Sequence, residues 1–139
     1  MFTQSEALTI LTHSPATDVK MLAEDLIPQL GEISVLLNRT GLVMLPYTDS
    51  ANGTRFHLGE VLVSESRVRI ANGTEGYAVC MGRDLEQSLA IALLDAAWQA
   101  HVEQETLVFF LNAQADAQRA ADDHLMSHVA KTRIELETF

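Results

Sequence analysis

The sequence is poor in cysteine (one), proline (three), aromatic residues and positive charge. The single thiol, Cys80, forms no internal disulfide, which fits a reducing compartment. It sits in an apolar run, and that setting favours a small buried hydrophobe over a nucleophile. No positively charged leader with a long apolar run follows Met1. No stretch approaches membrane-spanning length, since even the run from Ser88 to Ala100 carries Asp95 and Gln99. A cytoplasmic chain with no membrane partner is the expectation. Nine basic residues face nineteen acidic ones, for a net charge of −10. Phosphate backbones demand dense positive charge, so no nucleic-acid partner is expected. A Gly-rich phosphate loop, a Gly-x-Ser-x-Gly elbow and any Ser–His–Asp or Cys–His arrangement are also missing.

What is present suits one packed domain: 139 residues, 47% of them apolar. The pattern predicts a single α+β domain over 1–139. Its parts are a helical segment (1–30), an antiparallel sheet (32–81), a helical hairpin (84–131) and an extended arm (132–139). Ser5 is expected to cap a first turn. Ser14-Pro15 opens a helix whose apolar face is Val19, Leu22, Ala23 and Leu26, and Pro28 with Gly31 ends it.

Ile33, Val35 and Leu37 then alternate as a strand, Asn38 to Gly41 turns, and Leu42 to Tyr47 forms a second strand, continuous enough to be covered on both faces. Phe56 to Ile70 is a long third strand, with a bulge expected at Ser64-Glu65-Ser66 to switch its faces. Asn72-Gly73 suggests a type I′ turn into a fourth strand, Glu75 to Met81. Together these make a four-stranded antiparallel meander. The three Asn-x-Thr sequons, at Asn38, Asn52 and Asn72, read as turn chemistry.

Asp84 with Gln87 forms a capping box for a helix from Leu85 to about Val102. That helix is apolar on most sides, so the sheet covers one side and another helix or chain the other. Thr106 to Leu111 is expected as a connector and Asn112 as the cap of a last helix. Its stripe of Ala117, Ala121, Leu125 and Val129 would pack closely in a hairpin. Beyond it Ile134 and Leu136 alternate with Glu135 and Glu137 as a strand or extended arm.

Four groups of residues bear on chemistry. His124 and His128 are four apart on a helix, where a pair can bind metal, but Leu125 stands where the protease motif needs Glu; a solvated face is the alternative. His57 and Glu60 point to opposite faces of a strand and converge only if Gly59 marks a bend. Asp95 is either a buried anchor, reaching a backbone group or Arg83, or a water-facing carboxylate. Arg67 and Arg69 share a strand face and, with Arg55 or Arg83, match an anion; ordinary surface arginines are the alternative.

Several motifs occur in one order along the chain. They are Thr40-Gly41-Leu42-Val43-Met44, Phe56-x-Leu58-Gly59-Glu60, Gly76-Tyr77, Gly82-Arg83-Asp84, Asp95-Ala96 and Thr132-Arg133-Ile134. The set resembles the G subunit of the bacterial carbon–phosphorus lyase core complex of phosphonate degradation. Leu85-Glu86 stand where that family usually carries a basic residue. The resemblance implies a cytoplasmic complex with subunits H, I and J. It also implies a role, with H, I and L, in forming α-D-ribose 1-methylphosphonate 5-triphosphate from ATP and methylphosphonate. The nucleosidase chemistry falls to subunit I, so an accessory, non-catalytic subunit without a cofactor of its own is expected.

Partner contacts are expected at Phe56, Gly59, Glu60, Arg83, Asp95, Arg133, Ile134, Leu136 and Phe139, and anion contacts at Arg55, Arg67 and Arg69. The terminal arm would bind by adding a strand to a neighbour's sheet. A homo-oligomer of the isolated chain is compatible with so much unpartnered apolar surface. The competing expectation is a stand-alone metal-dependent or anion-binding enzyme using His57 and Glu60 or His124 and His128.

Overall fold

The computed structural model describes residues 2–48, 51, 53 and 55–137, with side chains described for 2–44, 51, 53 and 59–126. Two helices come first, α1 (Gln4–Thr12) and α2 (Ala16–Leu30). Thr3 rather than Ser5 caps α1. Its hydroxyl accepts the Glu6 N–H at 3.1 Å, and the Glu6 carboxylate accepts the Thr3 N–H at 3.4 Å. Pro28 does not end α2, which runs through it to Leu30; Gly31, at φ 75°, makes the stop. Val19, Leu22, Ala23 and Leu26 are buried, as their helical spacing requires.

The sheet has three antiparallel strands in the order β1-β2-β3, not four: β1 (Ser34–Thr48), β2 (Arg55–Arg69) and β3 (Glu75–Met81). The turn expected at Asn38 to Gly41 is the middle of β1. Cross-strand partners overrule the local turn composition there. Asn38 accepts the Ser66 hydroxyl at 2.8 Å, Arg39 pairs with Glu65 at 3.0 Å, and Gly41 sits opposite Val63.

The bulge expected at Ser64 to Ser66 is also absent. Pairing is regular there, and the register shifts instead between Val35 and Leu37 and between Leu45 and Pro46. Val61 and Val63 lie opposite in face to Val68 and Ile70 by strand parity alone. The hairpin at Asn72-Gly73 forms, but not as type I′. Gly73 N–H donates to Ile70 C=O at 2.9 Å and only Gly73 takes positive φ. That is a type I turn closed by a left-handed glycine, with the Asn72 side chain accepting the Thr74 N–H.

Helix α3 (Leu85–Gln99) follows, with Asp84 accepting the Gln87 N–H at 3.0 Å. It is buried at Ser88 and continuously from Ala90 through Trp98. Its apolar sides, expected to need another helix or chain, are closed by the chain itself: β2 and β3 cover one side, α1 and α2 the others. Helix α4 (Gln104–Glu137) begins well before Asn112. Leu107 and Leu111 are buried and Val108 and Phe110 half-buried, a helical period within the segment expected to be a connector.

The hairpin over the sheet does not form. The outer sides of α3 are already occupied, and α4 packs mainly on α1. Ala117, Ala121 and Leu125 are exposed, while Val129 lies outside the described side chains. The expected extended arm is helix through Glu137. No glycine or proline interrupts α4, and Lys131, Arg133 and Glu135 are good helix formers that outweigh the short alternation. At 34 residues, α4 is on the order of 50 Å long.

Gly76 sets how closely α3 approaches the sheet. A Cβ there would lie 1.9 Å from the Ala92 carbonyl oxygen and 2.6 Å from the Ala96 nitrogen. Backbone cannot yield as a flexible side chain does. Gly76→Ala is therefore expected to lower the unfolding free energy by about 3 kcal/mol or more, read as a shifted denaturant midpoint at unchanged slope.

Candidate functional site

Asp95 projects from α3 toward the free edge of β3. It is 3% exposed. Its carboxylate accepts the Tyr77 N–H at 3.0 Å, Gln4 Nε2 at 3.1 Å and Gln99 Nε2 at 3.0 Å. Gln99 also donates to the Glu75 carbonyl at 3.1 Å. Of the two sequence expectations, the buried anchor to backbone holds, and its partner is Tyr77 rather than Arg83. Burial raises the Asp95 pKa above 3.8, and the three donors only partly oppose it. Side chains of α3 thus occupy backbone groups on the outer edge of the sheet at β3.

The inner face of the sheet carries small hydroxyls. Ser64, Ser66 and Ser88 are fully buried. Ser66 and Ser88 lie 2.8 Å apart; Ser64 donates to the Gly82 carbonyl at 2.8 Å and accepts the Asp84 N–H at 2.9 Å. Lys20 of α2 pairs with Asp84 at 3.1 Å, locking α2 to the start of α3. The Gln87 N–H first, then Lys20, hold the Asp84 pKa low. Cys80, buried on the same face, has its thiol pushed up to about 11 by burial, so it stays protonated and inert near neutral pH.

The outer face carries the charges. Glu65 accepts the Tyr77 hydroxyl and Arg39 Nε, and both lower its pKa, the hydroxyl most; Tyr77 is raised in return. Arg67 lies over the Tyr77 ring, 5.2 Å from its centroid. A cleft of about 400 Å³ runs along this face between Arg39, Gly41, Val43, Val63, Glu65, Tyr77 and Val79.

Arg67 and Arg69 share the face, as expected, and Arg39, not foreseen in this group, joins them. Arg69 pairs with Glu75 at 3.5 Å, so Arg67 is the arginine of the three with no carboxylate partner among the described residues. Arg55 does not join them: it pairs with Thr48 at the opposite end of β2, on the order of 45 Å along the strand from Arg69. Arg83 is exposed in the β3–α3 connection.

The other expected site residues fall on β1–β2 and on α4. A register shift does fall beside Gly59, between the pairs Leu45–Gly59 and Pro46–His57. Glu60 and Gly59 are exposed there, and the side chains of Phe56 and His57 lie outside the described residues. His124 is exposed on α4 and His128 follows in the same helix, its side chain outside the described set. Arg133, Ile134 and Leu136 lie in α4, and Phe139 falls outside the described residues. Among the described residues no group of three or more His, Cys, Asp or Glu is placed to hold a metal ion. No helix there is long and apolar enough to cross a membrane.

Sequence reasoning does not find the bareness of β1. Leu36, Leu42, Val43 and Met44 are all exposed apolar side chains on one strand. The unbroken run from Leu42 to Tyr47 is visible in the sequence, but such a run suggests a strand covered on both faces.

The fold defines an α+β domain whose three-stranded sheet is wider than the helix that covers it. The family model described as Phosphonate metabolism protein PhnG matches residues 3–139, and the chain belongs to that family. It is accordingly a subunit of the carbon–phosphorus lyase complex of phosphonate metabolism.

The sign of the Asp95 titration follows from its raised pKa. Because the native pKa lies above 3.8, the unfolded chain releases this proton at a lower pH than the native chain does. The native state then binds more protons, so stability falls as pH rises through that window. Unfolding free energies measured across acid pH are expected to show the wild type losing stability relative to Asp95→Asn. Asp95→Ala leaves the Tyr77 N–H without its acceptor and is expected to cost about 1–3 kcal/mol at neutral pH.

Proposed function

We propose that this chain acts in the cytoplasm as an accessory subunit of the carbon–phosphorus lyase core complex, joined to subunits H, I and J. In the presence of H, I and L it supports synthesis of α-D-ribose 1-methylphosphonate 5-triphosphate. In that reaction a phosphonate oxygen of methylphosphonate bonds to the ribose anomeric carbon of ATP, the N-glycosidic bond breaks, and adenine leaves. The family match over residues 3–139 carries this proposal. Among the described residues, the separation of Arg67, Arg83 and Asp95 onto different faces and connections agrees with an accessory role, because general acid–base work needs its groups within hydrogen-bond reach of one reacting atom. The chain contributes surfaces, and no cofactor of its own is assigned to it.

Adenine release from ATP and methylphosphonate, followed by chromatography, tests this. It is expected with the chain plus H, I and L, and neither with this chain alone nor with the others alone. Turnover by the isolated chain would replace this reading with a stand-alone enzyme.

The end of α4 is proposed as a contact surface, through Arg133, Ile134 and Leu136, together with Phe139, which lies outside the described residues. As a helix it would dock lengthwise in a groove rather than add a strand to a sheet. Truncation after Lys131 is expected to weaken assembly about tenfold or more, with a loss of far-UV helical signal limited to the removed turns.

A further inference from the structure

The sheet is one strand wider than the helix that lies on it. A helix is about 10 Å across and strands lie about 4.8 Å apart, so one helix covers two strands. Helix α3 covers β2 and β3 and barely reaches β1. On that inner side Val35, Leu42 and Met44 are 52%, 63% and 54% exposed, beside Val68, Leu62 and Glu60 in the register. On the outer side Val43 is exposed too.

The two edges of the sheet are treated differently. At β3, Asp95 and Gln99 occupy the Tyr77 N–H and the Glu75 carbonyl. At β1, no backbone bond from another element reaches the outer edge among the described residues. The one charge on β1, Arg39, is drawn across the face to Glu65 and does not guard the edge. The ladder is regular from Leu37 to Leu45, between the two register shifts, so this stretch can template a further strand.

We infer that β1 is the docking strand for a different polypeptide of the complex, which adds an extended strand to this edge and lays a helix over its inner face. The inference rests on the subunit role proposed above. The width of the bare strip identifies the occupant. A β1 plus one added strand is about 10 Å wide, the breadth of one helix. A second copy paired edge to edge through β1 would bring its own uncovered strand and leave the strip bare on both.

Charge points the same way. Two copies would bring net charges of −10 together. Glu32 and Glu60, exposed near the two ends of the bare inner strip, have no ion-pair partner among the described residues. The incoming strand–helix unit therefore carries apolar residues against Leu42 and Met44 and Lys or Arg against Glu32 and Glu60.

The experiment uses the chain co-expressed with the remaining subunits of the complex, as wild type and as Leu42→Lys/Met44→Lys. Both side chains are exposed, so the isolated variant is expected to unfold at the wild-type temperature within a few degrees. Its assembly is expected to weaken about tenfold or more. Hydrogen exchange of the edge-facing amides within residues 37–45, those not paired to β2, is expected to be fast in the isolated wild type and strongly slowed in the complex.

A variant that assembles like the wild type, or a β1 that exchanges as fast in the complex as alone, overturns the inference and leaves the subunit role standing. A wild-type dimer dissolved by the same variant, with complex assembly unaffected, overturns it in favour of a second copy. If the wild-type chain itself fails to join the complex, the subunit role falls and the inference falls with it.

Discussion

A helix buried on every side can sit on a sheet only where the strand beneath it yields space, and Gly76 yields it. With no Cβ at that position, the backbone of α3 at Ala92 and Ala96 comes down onto β3. The neighbouring contacts are small for the same reason: Ala78 on β3, and Ser66 and Ser88 bonded to each other between β2 and α3. Close approach brings Asp95 within reach of the Tyr77 N–H, which turns a buried carboxylate from a pure liability into an edge cap. Seating α3 so low over β2 and β3 also confines its reach, and β1 is left outside it.

Charge is divided along the same lines as the layers. Basic residues concentrate on the sheet (Arg39, Arg55, Arg67, Arg69), while acids crowd the helices, including Asp18, Glu24, Asp25, Asp116, Asp122 and Asp123. The outer sheet face neutralises itself locally, with Glu65 shared by Arg39 and Tyr77, and Glu75 by Arg69. Such exposed pairs contribute little stability singly. Their effect here is to fix the orientation of side chains around the cleft and leave Arg67 stacked on Tyr77.

Periodicity reveals those elements whose partners are close in sequence or whose burial is one-sided. The face of α2, the Asp84 cap and the β3 alternation of buried and exposed residues are all readable. The middle of β1 is not, because Asn38 and Gly41 have turn composition and are held extended by Ser66 and Val63, about two dozen residues away. The end of α4 misleads for the opposite reason. The short alternation from Ile134 to Glu137 imitates a strand, while helix propagation from Gln104 decides the outcome. Hydropathy leaves open whether another helix or another chain covers α3, because it shows that a helix is apolar all round but not which elements cover it; α1 and α2 do so. The site residues fare similarly: shared faces can be foreseen for Arg67 and Arg69, but not that Arg39 arrives from a segment with the composition of a turn.

An open β-edge with apolar residues on both faces is a hazard for a free polypeptide, since any extended chain can pair with it. The chain closes β3 with Asp95 and Gln99, so it has the means of guarding an edge and, among the described residues, leaves β1 from Leu37 to Met44 without them. What stands between two free copies is the net charge of −10, a long-range repulsion that weakens as salt screens it. The same field attracts a basic partner. One charge imbalance therefore serves both before and after assembly: it keeps bare strands of like chains apart and selects an unlike chain to cover them. A subunit with a bare edge strand needs this arrangement, because that strand must survive unpaired until another subunit arrives.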